Sequence, residues 1–289
     1  FPIAPVKGDQ VIIEYFEPEI RTFDGILHLK KAGHDFKGIY QLLSEKNSDF
    51  GASCDNIKDW DINCPAGDDW QTVKHAVVKI DRNGLLCTGS LINNVRSNGK
   101  PYILTANHCL NTQEGAEEAV AIFNYESPEC NGQEPDISEY HSLSGANLIA
   151  TPPEIDQLDF SLIELSESIP LNYKPYYAGW SLHSKNIRQA VTIHHPEGDV
   201  KKISVDSNTV ETKSYPGQLY NDTSHWLVNE WEIGTTQGGS SGAPLFNQDR
   251  RIIGDLSGGR ADCDDPIEDY FAKFSRSWED FGIAEYQLK

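Results

Sequence analysis

The run Gly238-Gly239-Ser240-Ser241-Gly242-Ala243-Pro244 holds a serine among residues too small to cover it. Its hydroxyl can stand exposed while neighbouring backbone N–H groups stay free, which an acyl-transfer nucleophile and its oxyanion hole both require. Alone, such a Gly/Ser cluster reads equally well as an ordinary turn. Two other positions change the balance. His108 ends the apolar run Tyr102-Ile103-Leu104-Thr105-Ala106-Asn107 and has Cys109 beside it, so a buried strand should deliver a pinned imidazole. Asp159 lies within Leu158-Asp159-Phe160-Ser161-Leu162-Ile163, where a lone carboxylate is costly unless a partner satisfies it. The chain order His, Asp, Ser is one of the orders in which a nucleophile, a proton shuttle and an orienting carboxylate occur. Ser241 would attack, His108 would move the proton, and Asp159 would hold the tautomer.

Positioning three such distant groups requires a rigid frame. Short apolar or alternating runs occur at 73–80, 84–91, 102–106, 119–124, 158–165, 190–194, 226–231, 251–256 and 270–274, separated by Gly, Pro, Asn and Asp. This spacing predicts a β-sandwich or β-barrel architecture. Residues 275–287, with Trp278, Phe281, Ile283 and Ala284 among charges, read as a C-terminal helix. Within residues 1–50, the runs 8–18 and 25–29 read as strands. The length of 289 residues suits one large or two ordinary domains.

Lysine and arginine number 24 against 44 acidic residues, a formal charge of -20. That balance argues against nucleic acid and anionic membranes as partners, while it serves solubility and attracts cationic peptides. The sequence shows no apolar stretch of membrane-spanning length and no leader at Phe1, so we expect a processed or excised form. Asn221-Asp222-Thr223 fits a glycosylation sequon, which we read as a chance match on a polar loop. Six cysteines allow fifteen pairings, and no CxxC or HExxH spacing points to a metal. Paired cysteines imply an oxidising, extracellular compartment.

These residues carry a family resemblance. The chain resembles the trypsin-like secreted serine endopeptidases, closest to the bacterial lysyl endopeptidases. The resemblance rests on Cys87-Thr88-Gly89-Ser90-Leu91-Ile92-Asn93-Asn94, the segment ending His108-Cys109, Asp159-Phe160-Ser161-Leu162, Ile193-His194-His195-Pro196 and Gly239-Ser240-Ser241-Gly242, and spans about residues 51 to 280. It implies an all-β fold of two antiparallel six-stranded barrels of chymotrypsin type. The first would occupy 51–170 and the second 171–289, with 1–50 an N-terminal extension or the remnant of a pro-region.

Further expectations follow from the resemblance alone. It implies disulfides Cys54–Cys263, Cys64–Cys130 and Cys87–Cys109, and an oxyanion hole from the N–H groups of Gly239 and Ser241. Counting back from Trp278 places the specificity carboxylate for a basic substrate residue at Asp269, with Glu268 as its rival. The surrounding acids Asp262, Asp264 and Asp265 read alternatively as a solvated surface or a calcium-binding loop, although the EF-hand pattern is absent. Ser257 would approach Asp159, and Gly258 would offer backbone to an extended substrate.

The family's histidine before paired glycines is replaced by Ser257, and the tryptophan that stacks on it has no clear counterpart in 206–220, so Lys and Arg both remain as substrates. His194 and His195 read as a satisfied structural pair. The trypsin group's ion pair, between a freed N-terminus and an aspartate before the nucleophile, cannot form with Ser240 in that place. The oxyanion loop should therefore be held by other contacts. Protein or peptide substrates, a monomer and no cofactor or metal complete the expectation. The competing class is a binding or adhesion protein of the same fold, held inactive by residues 1–50.

Overall fold

β-branched and aromatic runs interrupted by Gly, Asn and Asp condense into two antiparallel sheets of seven strands each. The computed structural model describes residues 59–133, 140–153, 158–183, 185–217 and 223–289, together with shorter stretches that include 10–17, 25–29, Cys54 and Ile57. The first sheet contains β1 (Val77–Arg82), β2 (Leu85–Leu91), β3 (Tyr102–Thr105), β4 (Val120–Phe123), β5 (His141–Ser144), β6 (Ala146–Ala150) and β7 (Ser161–Leu165). Their order is β5-β4-β1-β2-β3-β7-β6. The second contains β8 (Ala190–His194), β9 (Lys202–Asp206), β10 (Glu211–Lys213), β11 (His225–Glu230), β12 (Pro244–Phe246), β13 (Ile252–Gly259) and β14 (Ile267–Lys273), in the order β10-β11-β14-β13-β12-β8-β9.

The all-β, two-sheet expectation holds, with seven strands per sheet rather than six. All nine expected runs contribute to strands, although 73–76 winds into a 3-10 turn before β1. Five strands lay outside the expected runs: β5, β6, β9, β10 and β12. The C-terminal helix is shorter than expected. It spans Phe274–Glu279 only, because Gly282 turns the chain at φ +69° before a 3-10 turn at Ala284–Tyr286. Trp278 packs on Trp180 at 4.6 Å between ring centroids. A second helix, Gln113–Glu117, is capped by Thr112, whose Oγ1 accepts from Gly115 N–H at 3.0 Å.

The expected strands within 8–18 and 25–29 are not formed by their described residues, and Ile12, Phe16 and Ile26 there expose their side chains to solvent. The sequon's Asn221 and Asp222 lie outside the described residues.

One core cluster unites the faces of both sheets, including Ile80, Leu104, Ile163 and Phe123 from the first and Ile193, Phe246 and Ile252 from the second. A smaller cluster around Trp226, Leu245 and Phe271 lies within the second. Three disulfides form with the expected pairings: Cys54–Cys263, Cys64–Cys130 and Cys87–Cys109.

Among the described residues five lysines are buried: Lys74, Lys79, Lys201, Lys202 and Lys273. Each is satisfied inside the protein. Lys79 Nζ donates to Gly198 O at 2.6 Å, and Lys201 Nζ to Lys74 O at 2.8 Å. Lys74 pairs with Glu126, and Lys202 with Asp61 and Asp199. Lys273 donates to Thr212 Oγ1 at 2.7 Å. Burial lowers Lys79 and Lys201 to about 8 each, the expected direction for an ammonium leaving water.

Candidate active site

His108 sits in the turn after β3, a strand flanked by β2 and β7. The turn is fastened twice. Asn107 Nδ2 donates to Thr151 Oγ1 at 2.6 Å and Pro152 O at 3.1 Å, and Cys109 is bonded to Cys87 on β2. Asp159 lies just ahead of β7, 2% exposed between Leu158 and Phe160, which are fully buried. Because β3 and β7 are paired, the two positions meet. Asp159 Oδ1 accepts from His108 N–H at 3.0 Å, and Oδ2 lies 2.7 Å from His108 Nδ1. With the proton on Nδ1, the imidazole presents a bare Nε2. Burial pulls the His108 pKa down, but the hydrogen bond and charge of Asp159 outweigh it, and the net shift is upward from the usual value of 6.5.

The Gly238–Gly242 turn from the second sheet packs against the same corner. Thr88 N–H on β2 donates to Ser241 O at 2.8 Å, and a Cβ on Gly242 would lie 2.2 Å from Thr105 Oγ1 and 2.7 Å from Ala106 N. Only glycine fits there, with φ at +79°. Ser241 O lies 3.8 Å from Sγ of Cys109, next to His108, while the Ser241 hydroxyl bonds to no described residue, His108 included.

The carbonyls of this turn are all tied. Gly238 O accepts from Glu197 N–H at 2.5 Å, Gly239 O from Thr88 Oγ1 at 2.9 Å, and Ser240 O from Ala243 N–H at 2.9 Å. Since N–H and C=O point opposite ways across a trans peptide, this turns the N–H groups of Gly239 and Ser241 outward. Neither donates to a described residue. Two backbone donors beside a glycine-flanked serine can receive a developing oxyanion.

The expected specificity carboxylate is wholly buried. Asp269 Oδ2 accepts from Trp231 Nε1 at 2.6 Å and Thr236 Oγ1 at 2.7 Å, while Oδ1 has no hydrogen-bond partner. Burial raises its pKa to about 6 against those two bonds. The facing Gly259 leaves the room, since a Cβ there would lie 2.3 Å from Asp269 Oδ1. Glu268, the rival, points outward and pairs with Arg260 Nη1 at 3.0 Å. Asp262 folds into a turn, accepting from the N–H groups of Asp264 and Asp265 at 2.9 and 2.7 Å.

Ser257 was expected to approach Asp159. Its hydroxyl lies 3.2 Å from Nε2 of His225, a ring close enough to feel the Asp159 charge and whose Nδ1 lies 2.7 Å from Ser224 Oγ. Burial depresses His225 to about 4, so the ring is neutral at physiological pH. Tyr215 lies over His225 at 5.6 Å between ring centroids, and its hydroxyl would sit 3.1 Å from a Cβ on Gly258. An aromatic ring over an imidazole thus exists within 206–220, contributed by a tyrosine. His225, Tyr215 and Thr88 were not singled out from the sequence as site residues, and their contacts span 10 to 151 positions of chain that no local pattern reports. Asp255 was missed as well. It is fully buried, both carboxyl oxygens are unpartnered, and burial with the nearby charge of Asp159 pushes its pKa well upward.

His194 and His195 are both fully buried. His194 is satisfied at each nitrogen, by Ser240 Oγ at 2.7 Å and Ser204 Oγ at 3.1 Å. His195 Nδ1 lies 2.9 Å from Asp199 O, but its Nε2 has no partner. Burial and, for His195, the neighbouring Lys201 hold both rings neutral. Two groups of candidate metal-ligating atoms converge, Cys87/His108/Cys109 and Asp59/Cys64/Cys130. In both, the sulfurs are consumed in disulfides and cannot act as thiolates. Among the described residues no helix is long and apolar enough to cross a membrane.

The family described as "Lysyl endopeptidase, C-terminal domain" matches residues 51–272. A lysyl endopeptidase of Pseudomonas aeruginosa is 31% identical over 205 residues, covering 68% of this chain and 42% of that protein. Secreted RxLR effector protein 73 of Plasmopara viticola is 27% identical over 186 residues, 61% of this chain and 41% of that protein. The chain thus spans less than half the length of these relatives. Among solved structures, the thermostable serine protease AL20 from an extremophilic microorganism aligns with a TM-score of 0.49 at 13% identity, covering 70% of this chain and 92% of that one. A Glu endopeptidase aligns with a TM-score of 0.45 at 17% identity, covering 69% and 85%.

Proposed function

The chain belongs to the family of the lysyl endopeptidase C-terminal domain, and from that premise we propose that it is a secreted serine endopeptidase cutting after basic residues, Lys and/or Arg. The observation that carries the reading is the His108–Asp159 pair, joined through both carboxylate oxygens and set beside a serine whose flanking N–H groups are free.

A peptide carbonyl placed against the Gly239 and Ser241 N–H groups is attacked by Ser241 Oγ, whose proton passes to His108 Nε2. Asp159 accepts the Nδ1 proton's hydrogen bond and stabilises the imidazolium without becoming protonated itself. The tetrahedral oxyanion rests on the two backbone donors. Collapse expels the leaving amine, which takes the proton from Nε2, and an ester remains on Ser241. Water, deprotonated by the same Nε2, then attacks that ester and frees the acid.

The buried oxygen of Asp269 that lacks a partner supports the basic preference. A substrate ammonium or guanidinium entering beside it would meet the charge that burial otherwise disfavours. Gly258 would lend its backbone to the substrate strand. Paired cysteines fit an extracellular setting.

Labelling with a fluorophosphonate, followed by mapping of the adduct, tests the nucleophile, and digestion of a peptide mixture reads the cut sites. We expect an adduct on Ser241 and carboxyl-terminal Lys or Arg on the products. A folded protein that never labels, even after limited proteolysis ahead of Cys54, would instead be a binding protein built on this fold.

A further inference from the structure

We propose that His194 and Ser240 form a neutral, internal clamp that fixes the oxyanion loop, which makes His194 a positioning residue for acyl transfer. The inference rests on the endopeptidase reading and adds to it the means by which the oxyanion hole is held open.

Every hydrogen along the clamp has an assigned place. Ser204 Oγ donates to Thr235 O at 2.8 Å, so its oxygen is left to accept, and His194 Nε2 must carry the hydrogen that it receives at 3.1 Å. That fixes the tautomer and leaves Nδ1 as an acceptor. Ser240 Oγ, 2.7 Å away, therefore donates to Nδ1 and accepts from Gln237 N–H at 3.1 Å. One directional chain runs from Gln237 N–H through Ser240 and His194 to Ser204 and Thr235 O. Ser240, His194, Ser204 and Thr235 are all fully buried. A second proton on His194 would reverse the Ser240 bond and break this directional chain, in keeping with a pKa lowered to about 3 by burial and by the Lys202 charge.

Ser240 supplies the peptide unit whose N–H partner is Ser241, and it follows the residue whose N–H is the other oxyanion donor. Rotating Ser240 out of place would swing both donors. The clamp pins its side chain, while Ser240 N–H donates to Gln237 O at 3.0 Å and Ala243 N–H holds its carbonyl. The segment after His194 grips the same loop, since Glu197 N–H bonds Gly238 O and a Cβ on Gly239 would strike His195 O at 2.8 Å. The clamp is uncharged and internal, so it needs no freed α-amino group.

The test compares the wild type with Ser240→Ala, His194→Ala and His194→Asn on a lysyl peptide amide. A peptide aldehyde ending in lysinal, which forms an oxyanion-like adduct, and benzamidine, which needs only the pocket, serve as probes. In Ser240→Ala and His194→Ala we expect kcat to fall about 10²–10³-fold, the loss typical of an oxyanion donor. KM should stay within about threefold, aldehyde affinity should fall with kcat, and benzamidine affinity should hold. His194→Asn should recover at least about tenfold over His194→Ala, because its Oδ1 stands where Nδ1 stood and accepts from the same hydroxyl. Ser240→Ala, which removes one oxygen, carries the test alone if the histidine variants do not fold. Near-normal kcat in Ser240→Ala, parallel loss of benzamidine binding, or no recovery in a folded His194→Asn would each overturn the clamp. A wild type that neither labels nor cleaves would sink the endopeptidase reading itself, whereas a wild type that labels beside variants that turn over normally sinks the clamp alone.

Discussion

At the scale of single residues, the two carboxylates that matter most have different tasks. Asp159 raises His108 above 6.5, so kcat/KM should climb with pH through a midpoint higher than that of a free histidine. A pH–rate profile reads this directly, and a midpoint at or below 6.5 would contradict the pairing. Asp159→Asn should cost about 10⁴ in kcat while leaving the fold intact, because the amide favours the wrong tautomer. Asp269 behaves differently. Its pKa is raised from 3.8 to about 6 by burial, so the folded chain keeps a proton that the unfolded chain releases. Stability is therefore fullest below pH 4 and drains away as pH rises to about 6, by about 3 kcal/mol relative to an Asp269→Asn variant. Urea unfolding of both proteins across that window measures the difference. For Asp269→Ala, we expect cleavage after basic residues to drop at least about 100-fold, since an unpaired buried cation costs about 3–5 kcal/mol.

At the scale of elements, the Cys87–Cys109 bond joins β2 to the turn bearing His108 and closes a loop of 22 residues. Replacing both cysteines by serine should lower unfolding free energy by about 3 kcal/mol and reduce kcat as well, since the turn loses one of its two fastenings. Calorimetry alongside turnover would show whether the two losses travel together. This level also shows what the sequence made legible. The runs around His108, Asp159 and Ser241 announce themselves because each is a local pattern, an apolar strand or a glycine turn ending in a polar side chain. The strands β5 and β10 escaped notice because Ser142 and Ser144 alternate weakly and Glu211, Thr212 and Lys213 are all exposed. Trp231 and Thr236 on Asp269, or His225 on Ser257, depend on which distant segments the folded chain brings together. The helix after β14 ends early because Gly282 reverses the chain, while aromatic packing on Trp180 holds only its first turns.

At the scale of the whole molecule, a charge of -20 sets a field that a cationic peptide feels before contact. Raising ionic strength should lower kcat/KM for such peptides while leaving kcat nearly unchanged, and stopped-flow at several salt concentrations separates the two. On the reading proposed above, the protein would also meet copies of itself, each one a polypeptide containing the bonds it would cut. The five lysines buried among the described residues would be out of reach of a neighbouring copy. Of the exposed ones, Lys100 and Lys174 each precede a proline, whose tertiary amide nitrogen makes a poor fit for an extended substrate. Self-digestion should therefore begin at loop positions such as Arg96, Lys185 and Arg188, and mass spectrometry of an ageing sample would find those fragments first. On the endopeptidase reading proposed above, the interior ammonium groups, so costly to desolvate, double as a safeguard against self-digestion.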